Sequence, residues 1–172
     1  MSLLSSAVRA AGAIALVAAA SAEAAPVAAG TNASGTVSVL ESLSLLRKSD
    51  LDFGILVPTT AGTAVVNPVS GAVTTTGGVT AVGSSGHRAV FTATGSRNSV
   101  VLIRIPQKPI MLTRVGGTET MTVSSWTLDG DKNRKIALGK AFDFGVGATV
   151  TVNAGQAEGT YIGTFDVTVQ YP

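Results

Sequence analysis

The stretch from Tyr161 to Tyr171 alternates between two kinds of side chain. Its odd positions are apolar, aromatic or glycine, namely Tyr161, Gly163, Phe165, Val167, Val169 and Tyr171. The even positions are polar except for Ile162. A period of two residues places one set of side chains on each face of a β-strand. The pattern therefore predicts a strand over residues 161–171 with one buried face and one solvent face.

The rest of the chain predicts further strands of the same kind and no amphipathic helix. Thr, Val, Ser and Gly dominate, and turn-forming residues recur about every ten residues, as is typical of β-sandwiches and barrels. The other predicted strands are Thr36–Leu46, Leu51–Leu56, Thr63–Val66, Val79–Val82, Arg88–Thr94, Val100–Ile105, Ile110–Arg114, Thr120–Leu128, Ile136–Leu138 and residues 147–153. We therefore predict an all-β sandwich with Greek-key connections.

The amino-terminal residues have the layout of a secretory signal peptide. A short lead with Arg9 precedes the apolar run Ala10–Ala20, and small residues follow at Ala22 and Ala24. The run is about half of the roughly 20 residues that a membrane-spanning helix needs, so it predicts a cleaved signal and no anchor. Cleavage is expected after Ala22 or Ala24, with Ala24 favoured. The predicted organisation is signal peptide 1–24, an amino-terminal segment with a first or donor strand at 25–46, and a sandwich domain at 47–172.

Composition excludes several classes of protein. The chain has no cysteine, so it can form neither a disulfide nor a thiolate metal site, and it offers no cysteine for a lipid anchor. Its formal net charge is +2, and the basic residues are scattered except for the cluster Lys132–Lys135. We interpret that cluster as a solvated loop. No basic stripe for nucleic acid is present in the sequence.

Catalytic chemistry has little support in the sequence. His87 is the single histidine, and nothing in the sequence marks the nucleophile and carboxylate of a triad or the further ligands of a zinc site. We expect a solvated loop histidine, no enzymatic activity and no cofactor.

One stretch partly matches a calcium-binding loop. Asp129, Asp131 and Asn133 occupy its first, third and fifth positions. The sixth and twelfth positions need a glycine and a glutamate, but here they hold Arg134 and Lys140. We therefore expect a turn at this point and no metal.

The carboxy-terminal residues match a known signature. Gly159 is the fourteenth residue from the end, Tyr171 is penultimate, and Phe165, Val167 and Val169 alternate between them. This resembles the ending of pilus subunits that the chaperone–usher route assembles. With "LDFG" near the start and "VGATVTVNAGQAEGTYIGTFDVTVQYP" at the end, the chain resembles the DUF4402 family of exported, pilin-like bacterial proteins.

The resemblance implies an immunoglobulin-like sandwich that lacks its final strand, so that the carboxy-terminal strand borders an open groove. A periplasmic chaperone would fill this groove first, and the amino-terminal strand of the next subunit would then replace it. The implied assembly residues are Gly159, Tyr161, Phe165, Val167, Val169 and Tyr171. The candidate donor residues are Val37, Val39, Leu43 and Leu45.

Two functions remain open. The first is a non-enzymatic structural subunit that passes through the periplasm and assembles by strand donation into a surface fibre or coat. Its partners would be copies of itself or related subunits, a periplasmic chaperone and an outer-membrane usher, with no nucleic acid and no membrane anchor once the signal is removed. The alternative is a self-contained cell-surface module that binds a glycan or a protein through loops such as Ser84–Arg88 or Asp129–Lys135. In that case its own first strand would fill the groove.

Overall fold

The computed structural model describes residues 34–139 and 141–172. The predicted signal peptide, with both candidate cleavage positions, lies outside the described residues. The chain divides into two compact units, Met1–Val37 and Ser38–Pro172. The described residues of the first unit form no strand and are exposed. Within the described ranges, no helix is long and apolar enough to cross a membrane.

Eleven β-strands make up the described part of the second unit. In chain order they are β1 Ser44–Ser49, β2 Ile55–Val66, β3 Val73–Val82, β4 Ala89–Thr94, β5 Val100–Arg104, β6 Ile110–Arg114, β7 Thr120–Leu128, β8 Asn133–Lys135, β9 Ala141–Val152, β10 Tyr161–Ile162 and β11 Thr168–Gln170.

The strands form two antiparallel sheets. The larger sheet has the order β1-β4-β9-β7-β6-β10, and the hairpin β2–β3 joins it through pairing of β2 with β9. The smaller sheet has the order β11-β5-β8. The long strand β9 pairs with β4 through its first half and with β2 through its second half, while β7 pairs along residues 146–151.

Two apolar clusters form the core. The first lies within the curl of the larger sheet and contains buried residues of β2, β3, β7 and β9, among them Val123 and Val150. The second joins the two sheets, because Phe91 and Phe144 of the larger sheet pack with Ile103 of the smaller one. Phe91 and Phe144 stack with their ring centroids 5.5 Å apart. Burial of these side chains between the sheets stabilises the sandwich.

The predicted all-β sandwich is confirmed, and β6 and β7 have the predicted bounds. Alternation located these strands correctly because every second side chain is half-buried in β6 and half-buried or buried in the first part of β7, where these side chains pack in the core.

Two predicted strands near the amino terminus were placed wrongly. The first strand begins at Ser44, so most of the predicted Thr36–Leu46 is not a strand. The second was expected to stop before Pro58, but β2 passes through Pro58 and continues to Val66. In the described part of the chain, residues 55–58 of β2 pair with β3 alone. Pro58 therefore lies where β2 has an unpaired edge, and its missing N–H interrupts no ladder there.

Near β8, the predicted strand Ile136–Leu138 is wrong, and so is the solvated-loop interpretation of Lys132–Lys135. The strand there is Asn133–Lys135, which pairs with β5. Ile136 is fully buried while Leu138 is 72% exposed. The buried Ile136 comes directly after β8, and because it is apolar the sequence placed the strand too late in the chain.

The predicted closing strand over 161–171 is also wrong as a single element. It consists of β10 and β11, and residues 163–167 between them form no strand. β10 pairs with β6 in the larger sheet, whereas β11 pairs with β5 in the smaller sheet. The carboxy-terminal segment therefore passes from one sheet to the other.

Candidate assembly site

The carboxy-terminal segment is anchored by alternate side chains from Phe165 onward. Phe165, Val167, Val169 and Tyr171 are half-buried, and the even-numbered residues between them are exposed. The first three pack against the cluster that joins the two sheets. The alternation in the sequence therefore indicates which side chains are buried here, even at residues whose backbone pairs with no neighbouring strand.

Phe165 is the aromatic anchor of this segment. Its ring centroid lies 4.7 Å from that of Trp126 and 6.5 Å from that of Phe91, which it meets edge to face. Such aromatic pairs add about 0.5–1.5 kcal/mol each to simple burial. The Trp126 indole N–H is buried and has no hydrogen-bond partner among the described residues.

Strand β11 lies at an edge of the smaller sheet. Val169 stands opposite Ile103 of β5, and β5 is the one strand with which β11 pairs in the described part of the chain. The other edge of β11 therefore offers backbone N–H and C=O groups for a further strand. Beside that edge lies the half-buried apolar face of Val167 and Val169.

The hydroxyl of Tyr171 connects three parts of the chain. It donates a hydrogen bond to the backbone carbonyl of Glu41 at 2.8 Å and accepts one from the backbone N–H of Ser96 at 2.8 Å. The Glu41 N–H in turn donates to the Ser96 hydroxyl. The penultimate tyrosine thus holds the chain before β1 against the loop after β4.

A side chain at position 95 would crowd this junction. A Cβ atom on Gly95 would lie 2.7 Å from Leu43 Cδ2, 2.7 Å from the Tyr171 hydroxyl and 2.9 Å from Ile136 Cδ1. Carbon and oxygen atoms at such separations overlap, so a larger residue would push these side chains apart.

The four candidate donor residues fall into two pairs. Leu43 and Leu45 are half-buried, and Leu45 packs against the cluster between the sheets from its place in β1. They belong to the core of their own subunit. Val37 and Val39, in contrast, are each 89% exposed.

Gly159 and Tyr161 lie apart from the other candidate residues. Tyr161 packs against the cluster of the larger sheet, and its hydroxyl donates to the Ala157 carbonyl at 2.7 Å and accepts from Gln156 Nε2 at 2.8 Å. Gly159 has a φ of 144°, and a Cβ there would lie 3.0 Å from Arg114 Cδ. Glycine at this position lets the chain approach Arg114 closely.

Arg114 fastens this end of the segment to the larger sheet. Its guanidinium binds both carboxylate oxygens of Glu119, at 2.7 Å and 3.0 Å, across the turn between β6 and β7. It also donates to the backbone carbonyl of Glu158. The hydrogen bond from Arg114 lowers the pKa of Glu119 from 4.5 to about 2.

The other residues singled out from the sequence have structural contacts. Residues Asp52 and His87 form an isolated antiparallel bridge. Asp129 pairs with Arg134 and accepts a hydrogen bond from the Gly145 N–H at 2.7 Å. The guanidinium of Arg134 lies 5.9 Å from the centroid of the Phe144 ring.

Sequence reasoning missed the partners of the two tyrosines and of Phe165. Nothing in the sequence around Gly95, Ser96 and Trp126 indicates these contacts. For Arg114 and Glu119, the one local signal is a pair of opposite charges five residues apart. Contacts between residues distant in sequence leave no local pattern, so alternation could indicate that Phe165 is buried but not against what.

Comparison with models of protein families identifies a match. The model of a family described as a domain of unknown function, DUF4402, matches residues 43–171. The chain belongs to the DUF4402 family. The predicted membership is therefore confirmed, and the matched range includes β1 to β11 and both tyrosines. No curated protein and no solved structure matches this DUF4402 chain.

The Tyr171 junction of the DUF4402 chain can be tested by Tyr171→Phe. Loss of the hydroxyl leaves the Ser96 N–H and the Glu41 carbonyl without this partner, so we expect the free energy of unfolding to fall by about 1–3 kcal/mol. Hydrogen exchange at the Ser96 amide should become faster. Chemical denaturation and amide exchange measure the two effects.

Tyr161→Phe is the matched control, because it removes a hydroxyl whose hydrogen bonds within the described ranges are to residues 156 and 157 alone. It should leave exchange at Ser96 unchanged. Equal exchange at Ser96 in the wild type and in Tyr171→Phe would contradict the assigned role of the penultimate tyrosine.

The Arg114–Glu119 pair predicts a dependence of stability on pH. Because the folded-state pKa of Glu119 lies below its ordinary value, its contribution is complete above pH 4.5 and is lost as the pH falls towards 2. Glu119→Gln should therefore lower the melting temperature above pH 4.5, and the difference from the wild type should shrink towards pH 2. Thermal unfolding across this range is the measurement.

Glu158→Gln makes the same chemical change at a carboxylate for which the described residues provide no ion pair. It should leave the pH profile of the wild type intact. A constant difference between Glu119→Gln and the wild type across the whole pH range would contradict the assignment.

Proposed function

We propose that this protein is an exported, pilin-like structural subunit that assembles by β-strand donation into a surface fibre or coat. The observation that carries the proposal is the exposure of Val37 and Val39, 89% each, in a stretch that forms no strand. Two valines at positions i and i+2 share one face of an extended chain. Such a stretch is suited to become a strand in another subunit.

The acceptor in this proposal is the open edge of β11. A donated strand would continue the smaller sheet by backbone hydrogen bonds, and its apolar side chains would pack beside Val167 and Val169. Burial of one valine contributes about 1.5–3 kcal/mol before ordering costs. Two buried valines therefore contribute about 3–6 kcal/mol before ordering costs, and the backbone ladder adds to this.

The Tyr171 junction supports two separate roles within the amino-terminal segment. The hydroxyl holds the backbone of Glu41, and Leu43 and Leu45 pack in their own subunit. The donor in this proposal is therefore the part before Glu41. This narrows the candidate donor residues from four to Val37 and Val39.

The proposed route follows from the signal-like amino terminus and the pilin-like ending of the sequence. Export would bring the chain to the periplasm, where a chaperone would cover the β11 edge until an usher passes the subunit to the surface. An unprotected edge beside apolar side chains favours aggregation, which is the physical need for such a chaperone.

The binding-module alternative draws less support from its two loops. The Arg88 guanidinium of the first loop donates to the Pro68 carbonyl at 2.8 Å, and Asp129 of the second is paired with Arg134. Charged groups engaged in this way are poorly available to a ligand. A wild-type chain that stays monomeric and fully stable at high concentration would favour the alternative.

Strand donation can be tested by Val37→Asp/Val39→Asp. A charge at either position would have to be buried beside apolar side chains in the acceptor, so assembly should be lost while the fold of the subunit remains. The measurement is the series of SDS-resistant oligomers formed by the exported chain, together with its circular dichroism.

The matched control is Val69→Asp/Val115→Asp, since these valines are 63% and 60% exposed and lie in the turns that follow β2 and β6. It should assemble like the wild type. Normal assembly of the Val37→Asp/Val39→Asp variant would overturn the proposal.

A further inference from the structure

One long stretch of the chain has no charged side chain. Residues 53–86 contain no Asp, Glu, Lys, Arg or His, although 12 basic and 10 acidic residues occur in the whole sequence. This stretch contains the complete hairpin of β2 and β3. The hairpin is therefore a neutral part of an otherwise charged surface.

The outer strand of this hairpin is an open edge. Strand β3 is 10 residues long and pairs with β2 alone in the described part of the chain. Natural sheets commonly protect such edges with lysines, prolines or short strands. β3 has the sequence VTTTGGVTAV, which contains no charge and no proline.

The solvent face of the hairpin carries aliphatic side chains near this edge. Ile55 stands opposite Val82, and Val57 stands opposite Thr80. Ile55, Val57 and Val82 are 63%, 47% and 49% exposed. Because residues directly opposite in an antiparallel pair share a face, these side chains form one apolar patch.

We propose that this edge is a docking surface for a second copy of the chain, with β3 of each copy pairing in an antiparallel manner. The pairing is centred on Ala81, which stands opposite Ala81 of the partner subunit. Thr80 then faces Val82 of the partner subunit, and both belong to the solvent face. Within β3, residues 80–82 then pair with the same three residues of the partner subunit, so the two hairpins join at this end into a four-stranded sheet.

This register joins the apolar patches of the two copies into one continuous surface. Across the four strands, Ile55 and Val82 of one copy continue into Thr80 and Val57 of the partner subunit, and a second row runs in the opposite order. A shift by one residue would place solvent-face side chains opposite core-face side chains. The pairing is isologous, since both copies use the same surface.

The absence of charge on the hairpin favours a second copy over an unrelated partner. In an isologous contact the same surface occurs on both sides, so any charge near the axis would face a like charge and be repelled. The charge-free hairpin avoids this penalty and buries no unpaired charge. A partner recognised by charge would find no opposite charge there.

The inference is independent of the proposed strand donation. It uses the edge of β3 in the larger sheet, whereas donation uses the edge of β11 in the smaller sheet. The test is therefore made in the Val37→Asp/Val39→Asp background, where donation makes no contribution.

The first test is a disulfide cross-link at Ala81. The natural chain has no cysteine, so any disulfide in Ala81→Cys joins two copies. Opposite residues of an antiparallel pair have Cβ atoms about 4.5–5.5 Å apart, close to what a disulfide needs. We expect a covalent dimer under mild oxidation, visible on non-reducing gels.

Thr74→Cys is the matched control because it lies on the same strand, far from the proposed axis. It should give little or no covalent dimer. Equal cross-linking of the two variants would overturn the register, and absence of a dimer from a folded Ala81→Cys chain would overturn the proposal.

A charge on the patch gives a second test. Val82→Lys places two lysines beside the axis, where they repel each other. We expect the dissociation constant of the dimer, measured by light scattering, to rise by about tenfold or more. Val100→Lys is the matched control, since Val100 is a strand valine of the other sheet with 44% exposure. It should dimerise like the Val37→Asp/Val39→Asp chain from which both lysine variants are made, here called the parent chain.

A parent chain that is monomeric at every concentration, or a Val82→Lys variant that dimerises like Val100→Lys, would overturn the proposal. If this dimer does not form, strand donation is still tested separately by the SDS-resistant oligomers of the wild-type chain. The two proposals can therefore fail independently.

Discussion

The larger sheet depends on the backbone ladder of strand β9. Its 12 residues pair with β4 and β2 along one edge and with β7 along the other, so the remaining strands reach the sheet through these three. Five consecutive residues of β9, from Phe144 to Ala148, are buried. Such continuous burial requires neighbours over both faces, and it identifies β9 as the central strand. Its Phe144 stacks on Phe91 of β4, and both rings pack with Ile103 of the smaller sheet.

The carboxy-terminal segment shows what alternation can and cannot predict. Sequence reasoning correctly predicted the all-β sandwich and the bounds of β6 and β7, because in those strands burial and pairing coincide. From Phe165 to Tyr171 the alternation reports burial correctly, yet only β11 has a strand neighbour. A side chain can be buried at every second position wherever the backbone is extended over a core. Pairing also needs a neighbouring strand, and the sequence of one segment does not contain that information.

The misplaced start of β1 has a related cause. Val37, Val39, Leu43 and Leu45 share one parity and read as one strand, but the first two are exposed and the last two are half-buried. The boundary lies where Tyr171 and Ser96 hold the backbone of Glu41. These contacts join residues that are 55 and 130 positions apart in sequence. A local pattern could not show that one apolar series serves two purposes.

The two open edges differ in symmetry, and this difference decides what each could build. In strand donation the surface given differs from the surface received, so the contact is heterologous and each added subunit offers a new donor. Pairing of β3 with its own copy is isologous and closes after two subunits. In these two proposals, heterologous contacts along β11 would give length, and isologous contacts along β3 would give lateral pairing without further growth. Because the two edges lie in different sheets, one subunit has separate backbone edges for both contacts.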